Sequence, residues 1–324
     1  MSSSPEYLNA CSVAESVPCR LYRVYGLVVE SELEFPELLA TQNEAPDMRV
    51  SFGKVPESVE HAIVKANWCQ ASRLEFLMEI EGVAKYHVAD GNRITVELSA
   101  NSENEVRASD VRLWLLGSAF GALLHQRGML PLHVSAVKAP TGVWAFTGPS
   151  GEGKSTLAGF LHRRFGWKLV SDDVSVIDSD CSRAIVHPGP QKLKLWADAL
   201  EHLEFPGCRK VRDLSNTEKF QLYLPGDGGY KPEPLHGLVL LESASAEAAP
   251  SLERLKGTQA FSACMESIYR PYMDNWFKLP ERRMHELVQL CQQVHVYRFS
   301  RPRSLENMEQ NLAPLLELLV NAES

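Results

Sequence analysis

Residues 143–173 read V-W-A-F-T-G-P-S-G-E-G-K-S-T-L-A-G-F-L-H-R-R-F-G-W-K-L-V-S-D-D, and this stretch decides the fold. Its centre, Gly148-Pro149-Ser150-Gly151-Glu152-Gly153-Lys154-Ser155, matches the pattern G-x-x-x-x-G-K-[ST]. Glycines so spaced let backbone N–H groups curl around a phosphate. The lysine reaches the outer phosphate oxygens, and the serine hydroxyl suits Mg²⁺. So short a pattern also arises by chance, and the setting decides. The apolar run Val143–Thr147 enters it as a strand, and Thr156–Phe165 leaves it as a helix stopped by Gly166. A second short strand, Trp167–Val170, then delivers Ser171-Asp172-Asp173, with the aspartates 18 and 19 positions after Lys154. In a strand–helix–strand unit the strands are parallel and end on one edge of the sheet, so both carboxylates arrive beside the phosphates. One carboxylate can serve a metal and the other can accept a proton; a helix cap or an Asx turn is the bland alternative.

Upstream, Leu21–Val29, Met48–Phe52, Leu74–Ile80, Val83–Val88 and Ile94–Leu98 read as strands, with Asp90-Gly91 as a tight turn. Residues 1–18 read as a loose leader. Ser109 or Asp110 is placed to cap a helix running to about Gln126, with Gly128 as its stop and a body apolar on most faces. Downstream lie Leu238–Glu242 as a strand and helical patterns near 257–270, 281–293 and 304–321. The expected organisation is a β-rich region over 1–108, an α/β core over 109–245 and a helical extension over 246–324.

The chain has 324 residues, with 33 Lys and Arg against 41 Asp and Glu for a net charge of −8. That acidity argues against broad phosphate neutralisation on a nucleic acid. No run reaches the ~20 apolar residues of a membrane span, and the opening Met1-Ser-Ser-Ser-Pro-Glu lacks a signal-peptide pattern. Seven scattered cysteines without a C-x-x-C pair read as free thiols in a reducing cytoplasm.

His133, fifteen positions before Gly148, then G-P-S-G-E-G-K-S, then S-D-D at this spacing, resemble the catalytic domain of HPr kinase/phosphorylase, a fold related to phosphoenolpyruvate carboxykinases. The opening Tyr22-Arg-Val-Tyr-Gly-Leu-Val-Val-Glu-Ser-Glu-Leu-Glu-Phe-Pro36 and the segment Gly189-Pro-Gln-Lys-Leu-Lys-Leu-Trp196 are similar to an HPr-kinase-related branch found with peptide-modification clusters, including kinases that tailor lasso-peptide precursors on a serine. The resemblance implies a P-loop kinase core using ATP and Mg²⁺. Asp172 would be the general base, Asp173 a metal partner with Ser155, and His133 a polar residue of the active-site shell. Thr156 stands where the HPr enzymes usually carry Glu, and the L-E-V-R-G-L-G and P-V-R-P-G-R segments tied to HPr binding and to the reverse reaction are missing.

The resulting expectation is a cytoplasmic kinase that phosphorylates a serine hydroxyl of a peptide or protein. It has no nucleic-acid or membrane partner, and homo-oligomerisation is left open. A small-molecule kinase and a nucleotide-binding regulator without catalysis are the alternatives. Lys192 and Lys194, two apart on a strand, share one face as phosphate or substrate contacts, or as part of a solvated sheet surface. The Gly/Pro-rich stretch 225–235 is a candidate wall of an open acceptor groove. The charged stretches 281–285 and 301–310 read as solvated helix faces.

Overall fold

The computed structural model describes residues 7–8, 18–99, 106–180, 182–205, 209–213, 216–224 and 231–321. The chain is mixed α/β and divides into two compact units. One runs to Met129 and adds Arg270–Pro280; the other comprises Leu130–Arg212, Asn216–Tyr269 and the chain from Glu281 onward. The boundaries expected near 108 and 245 therefore fall elsewhere. The helix after residue 108 belongs with the strands before it, and residues 246–324, apart from Arg270–Pro280, supply strands as well as helices to the second unit. Most of the expected leader, and residues 225–230 of the Gly/Pro-rich stretch, lie outside the described residues. Among the described residues no helix is long and apolar enough to cross a membrane, and Cys19, Cys69, Cys264 and Cys291 are free thiols.

The first unit is built on a nine-stranded sheet. It is antiparallel except that Met48–Phe52 runs parallel to both of its neighbours, Leu27–Ser31 and Arg93–Leu98. The run Leu21–Val29 is a hairpin rather than one strand: Arg20–Val24 turns into Leu27–Ser31 through Tyr25 and Gly26, at φ 55° and 86°. A tyrosine in a left-handed turn carries no sequence flag, unlike Asp90-Gly91, which makes the expected turn with both φ positive. Helical backbone runs from Ala108 to Gln126, interrupted by a π turn at Leu115–Ala119. Its N-cap is Arg107 rather than Ser109 or Asp110. Asp110 is instead buried and accepts from Arg107 Nε at 2.8 Å.

In the second unit the strand Gly142–Thr147 pairs in parallel with Glu233–Ala244, which pairs in parallel with His295–Pro302. On its other side it pairs antiparallel with Ser135–Ala139, and that strand pairs antiparallel with Lys168–Ser171. The strands on either side of the helix Lys154–Phe165 therefore run in the same direction, as expected, but an oppositely directed strand lies between them. Side chains alternate across this sheet. Trp144 and Phe146 join a core with Leu157, Ala158 and Leu161 of the helix, while Val143 and Ala145 face Ala260, Cys264, Leu287 and Leu290 on the opposite side. Those last residues belong to the helices Gly257–Glu266 and Pro280–Gln293. The sheet thus has a helical layer on each face, and its strand ends form the edge on which the site is built.

Candidate active site

The phosphate-loop motif follows Thr147 at the end of its strand, and Gly153, with φ 82°, turns the chain into the helix. Gly148 has φ 137°, and a Cβ there would stand 2.7 Å from the Leu241 carbonyl oxygen of the neighbouring strand. The loop therefore lies too close to the sheet for any side chain at that position. Lys154 is buried and donates from Nζ to the carbonyl oxygens of Gly148 and Pro149 at 2.8 and 3.2 Å. Burial lowers its pKa, opposed by the charges of Asp172, Asp173 and Glu152.

The intervening antiparallel strand explains how His133 reaches the loop. Because it runs against both neighbours, its beginning lies where they end, so His133 and Ser135 arrive at the edge that carries Gly148 and Asp172. His133 itself lies between the strands Leu130–Leu132 and Ser135–Ala139, and its N–H donates to Ser267 O at 2.6 Å. Its Nδ1 stands 2.9 Å from the carbonyl oxygen of Asp173 and 3.3 Å from the Asp173 carboxylate.

The two aspartates have different surroundings. Asp172 is 3% exposed. Its Oδ1 accepts from Ser135 Oγ at 2.5 Å and its Oδ2 from the Lys194 backbone N–H at 2.9 Å. Desolvation raises its pKa, countered by these bonds and by one from the Ser155 hydroxyl. Asp173, at φ 76°, lines a cavity instead. Desolvation pushes its carboxyl upward, but the His133 bond and charge, with Lys194 and Lys192, outweigh it and hold the group well below the usual carboxylate range. Asp172 thus faces inward with both oxygens occupied, and Asp173 faces the cavity.

The cavity encloses about 410 Å³, within the usual range for a small-molecule site. Its walls include Ser150–Thr156, His133, Asp173 and Lys194, all expected. Lys192 and Lys194 alternate with the fully buried Leu193 and Leu195, but only Lys194 is on the cavity wall; Lys192 Nζ lies 3.2 Å from Gln221 Oε1. Other lining residues were not singled out as site residues in the sequence. Trp196 lies under Lys219, whose Nζ is 4.6 Å from the ring centroid, and Arg301 begins a segment that lines the cavity as far as Leu312. Arg301–Leu305 and Met308 therefore line the cavity, while Glu306, Asn307, Glu309 and Gln310 of the same stretch are exposed.

Arg301 is 7% exposed and donates from Nη2 to Glu152 O at 2.7 Å and from Nη1 to Glu242 O at 3.4 Å. Burial lowers its pKa to about 10, which leaves it charged at neutral pH. It thus ties the strand His295–Pro302 directly to the backbone of the loop. Arg301→Met should therefore speed amide hydrogen exchange across 148–153 by about tenfold or more, the factor implied by losing a charged hydrogen bond of ~1.5–3 kcal/mol. Arg303→Met, at an exposed position in the same segment, should leave that exchange unchanged. Equal rates in the two variants would remove the positioning role.

The donor set suits Mg²⁺ held jointly with phosphates: the Ser155 hydroxyl and the aspartate carboxylates are hard oxygen ligands. Among the described residues no group of three or more His, Cys, Asp or Glu could hold a metal by itself.

No family model matches this chain, and no curated protein does. Among solved structures, the Hpr(Ser) kinase/phosphatase from Coxiella burnetii is similar to it at 13% identity with a TM-score of 0.29, over 58% of this chain and 92% of that one. So slight a likeness assigns neither a fold nor a reaction.

Proposed function

We propose that the chain is a P-loop kinase that transfers the γ-phosphoryl group of ATP to a hydroxyl, that of a serine on a peptide or protein. The observation that carries this reading is one cavity lined both by Ser150–Ser155 of the loop and by the Asp173–His133 pair. The acceptor class rests on the sequence resemblance to the peptide-tailoring branch.

In this reading the loop N–H groups and Lys154 bind the phosphate chain and offset charge on the transferring group. Asp173, oriented by His133, accepts the proton of the acceptor hydroxyl as its oxygen bonds to phosphorus and ADP leaves. Lys194 adds positive charge on the same wall. Asp172 orients the Ser155 hydroxyl, and these two residues would hold Mg²⁺, directly or through water. Bound there, Mg²⁺ supplies charge neutralisation at the phosphates. The inward bonds of Asp172 favour giving the base to Asp173.

Calorimetry with Mg²⁺-ATP tests the binding half: Lys154→Ala should weaken affinity at least tenfold, and unchanged affinity overturns the reading. The transfer half is tested with labelled ATP offered to a peptide pool and a metabolite pool. Phosphoserine on a peptide is the expected product. Saturable labelling of a metabolite, with none on any peptide, would move the chain to the small-molecule kinases.

A further inference from the structure

Relative to the strand Gly142–Thr147, the carboxylates lie on the side of Lys168–Ser171, while Glu233–Ala244 and His295–Pro302 lie on the other. These last two run parallel to Gly142–Thr147, so the chain leaving Pro302 emerges on the phosphate-loop edge, away from Asp173. There it lines the cavity with Pro302, Leu305, Met308 and Leu312.

This wall is built rather than draped. Ser304 Oγ accepts from the Asn307 N–H at 3.2 Å, and Asn311 Nδ2 donates to Pro302 O at 3.3 Å. Glu309 pairs at 3.3 Å with Arg164 of the helix that follows the phosphate loop, and Arg301 holds the loop itself. Leu305 and Met308 are only part-buried, so apolar surface remains for a ligand.

We propose that Leu305 and Met308 form the platform for the nucleoside of the phosphoryl donor, a claim that rests on the phosphate-loop reading. A phosphate chain held along Gly148–Ser155 with its terminal phosphoryl toward Asp173 directs its other end to this wall. In a nucleoside triphosphate that end carries a ribose and a flat base whose faces are apolar. Burial against two aliphatic side chains suits those faces, while the phosphates are held by the loop. The segment is thus the part of the site that distinguishes a nucleotide from bare polyphosphate.

The test compares Mg²⁺-ATP with inorganic tripolyphosphate by calorimetry on the full chain. Leu305→Ser and Met308→Ser should each weaken ATP by about tenfold while leaving tripolyphosphate affinity unchanged, which also reports that the variants are folded. Lys154→Ala should weaken both ligands. If the serine variants lose both ligands equally, or neither, the platform is overturned while the phosphate-loop reading stands. If the wild type binds neither ligand, or Lys154→Ala keeps both, the phosphate-loop reading fails and the platform with it.

Discussion

Asp173→Asn should lower phosphoryl transfer by about 10²–10⁴-fold, the span for loss of a general base, with ATP affinity near that of the wild type. The amide keeps the shape of the carboxylate and can still meet His133, but it cannot take a proton from the acceptor hydroxyl. Asp172→Asn should act differently. Asp172 receives one donor on each oxygen, from Ser135 Oγ and the Lys194 N–H. An asparagine can keep its Oδ1 on the Lys194 N–H and donate from Nδ2 to the Ser135 hydroxyl, but it exchanges two charge-assisted bonds for neutral ones, at ~1–3 kcal/mol of stability. It should also raise the Mg²⁺ concentration needed for activity, because the Ser155 hydroxyl loses its partner. Turnover at saturating acceptor and metal, combined with denaturant melts, separates the two. If Asp172→Asn abolishes turnover at full stability while Asp173→Asn retains it, the roles must be exchanged.

Gly237→Ala should be among the most destabilising single-methyl additions in the second unit. A Cβ at Gly237 would lie 2.3 and 2.7 Å from two ring carbons of Trp144 and 2.9 Å from His295 O. The indole has little room to yield. It is fully buried, and its Nε1 donates to Thr141 Oγ1 at 2.8 Å, which in turn donates to Leu319 O at 2.8 Å. Overpacking of this kind costs about 1–3 kcal/mol and sometimes more. Trp144→Leu alone opens a cavity and should itself destabilise. In the Gly237→Ala background it should cost less, with a favourable coupling of about 1 kcal/mol or more, since the two residues touch. Urea midpoints of the four proteins measure this, and strict additivity would show that the clash is relieved elsewhere.

What could be read in advance follows from how locally each feature is encoded. The loop, its strand and its helix were legible because all the groups that cradle a phosphate are contiguous, and the glycines mark where backbone must curve. Asp172 and Asp173 were legible as a pair through the short strand that carries them. Their different surroundings were not, because these depend on Ser135 and Lys194, which no local pattern connects to Asp172. Arg301 was invisible for a related reason. Nothing in H-V-Y-R-F-S-R-P marks which arginine is buried, and charges at 301–310 suggest solvent when read alone. The strand His295–Pro302 falls between two patterns read as helical and was given no element of its own, since a strand paired on both edges and largely buried lacks clean alternation. The Tyr25-Gly26 turn was missed inside a β-branched and aromatic run read as one strand.

The parallel pairing of Gly142–Thr147 with Glu233–Ala244, and of that strand with His295–Pro302, has a consequence during synthesis. When the phosphate loop leaves the ribosome, neither of those two strands has yet been made. Such distant pairings close late and slowly. A nascent chain stalled before residue 295 would carry the whole G-x-x-x-x-G-K-S stretch and still have no Arg301 to hold Glu152. Under the proposed function, nucleotide stabilises only what it binds, so it would protect finished chains and leave interrupted ones to proteases.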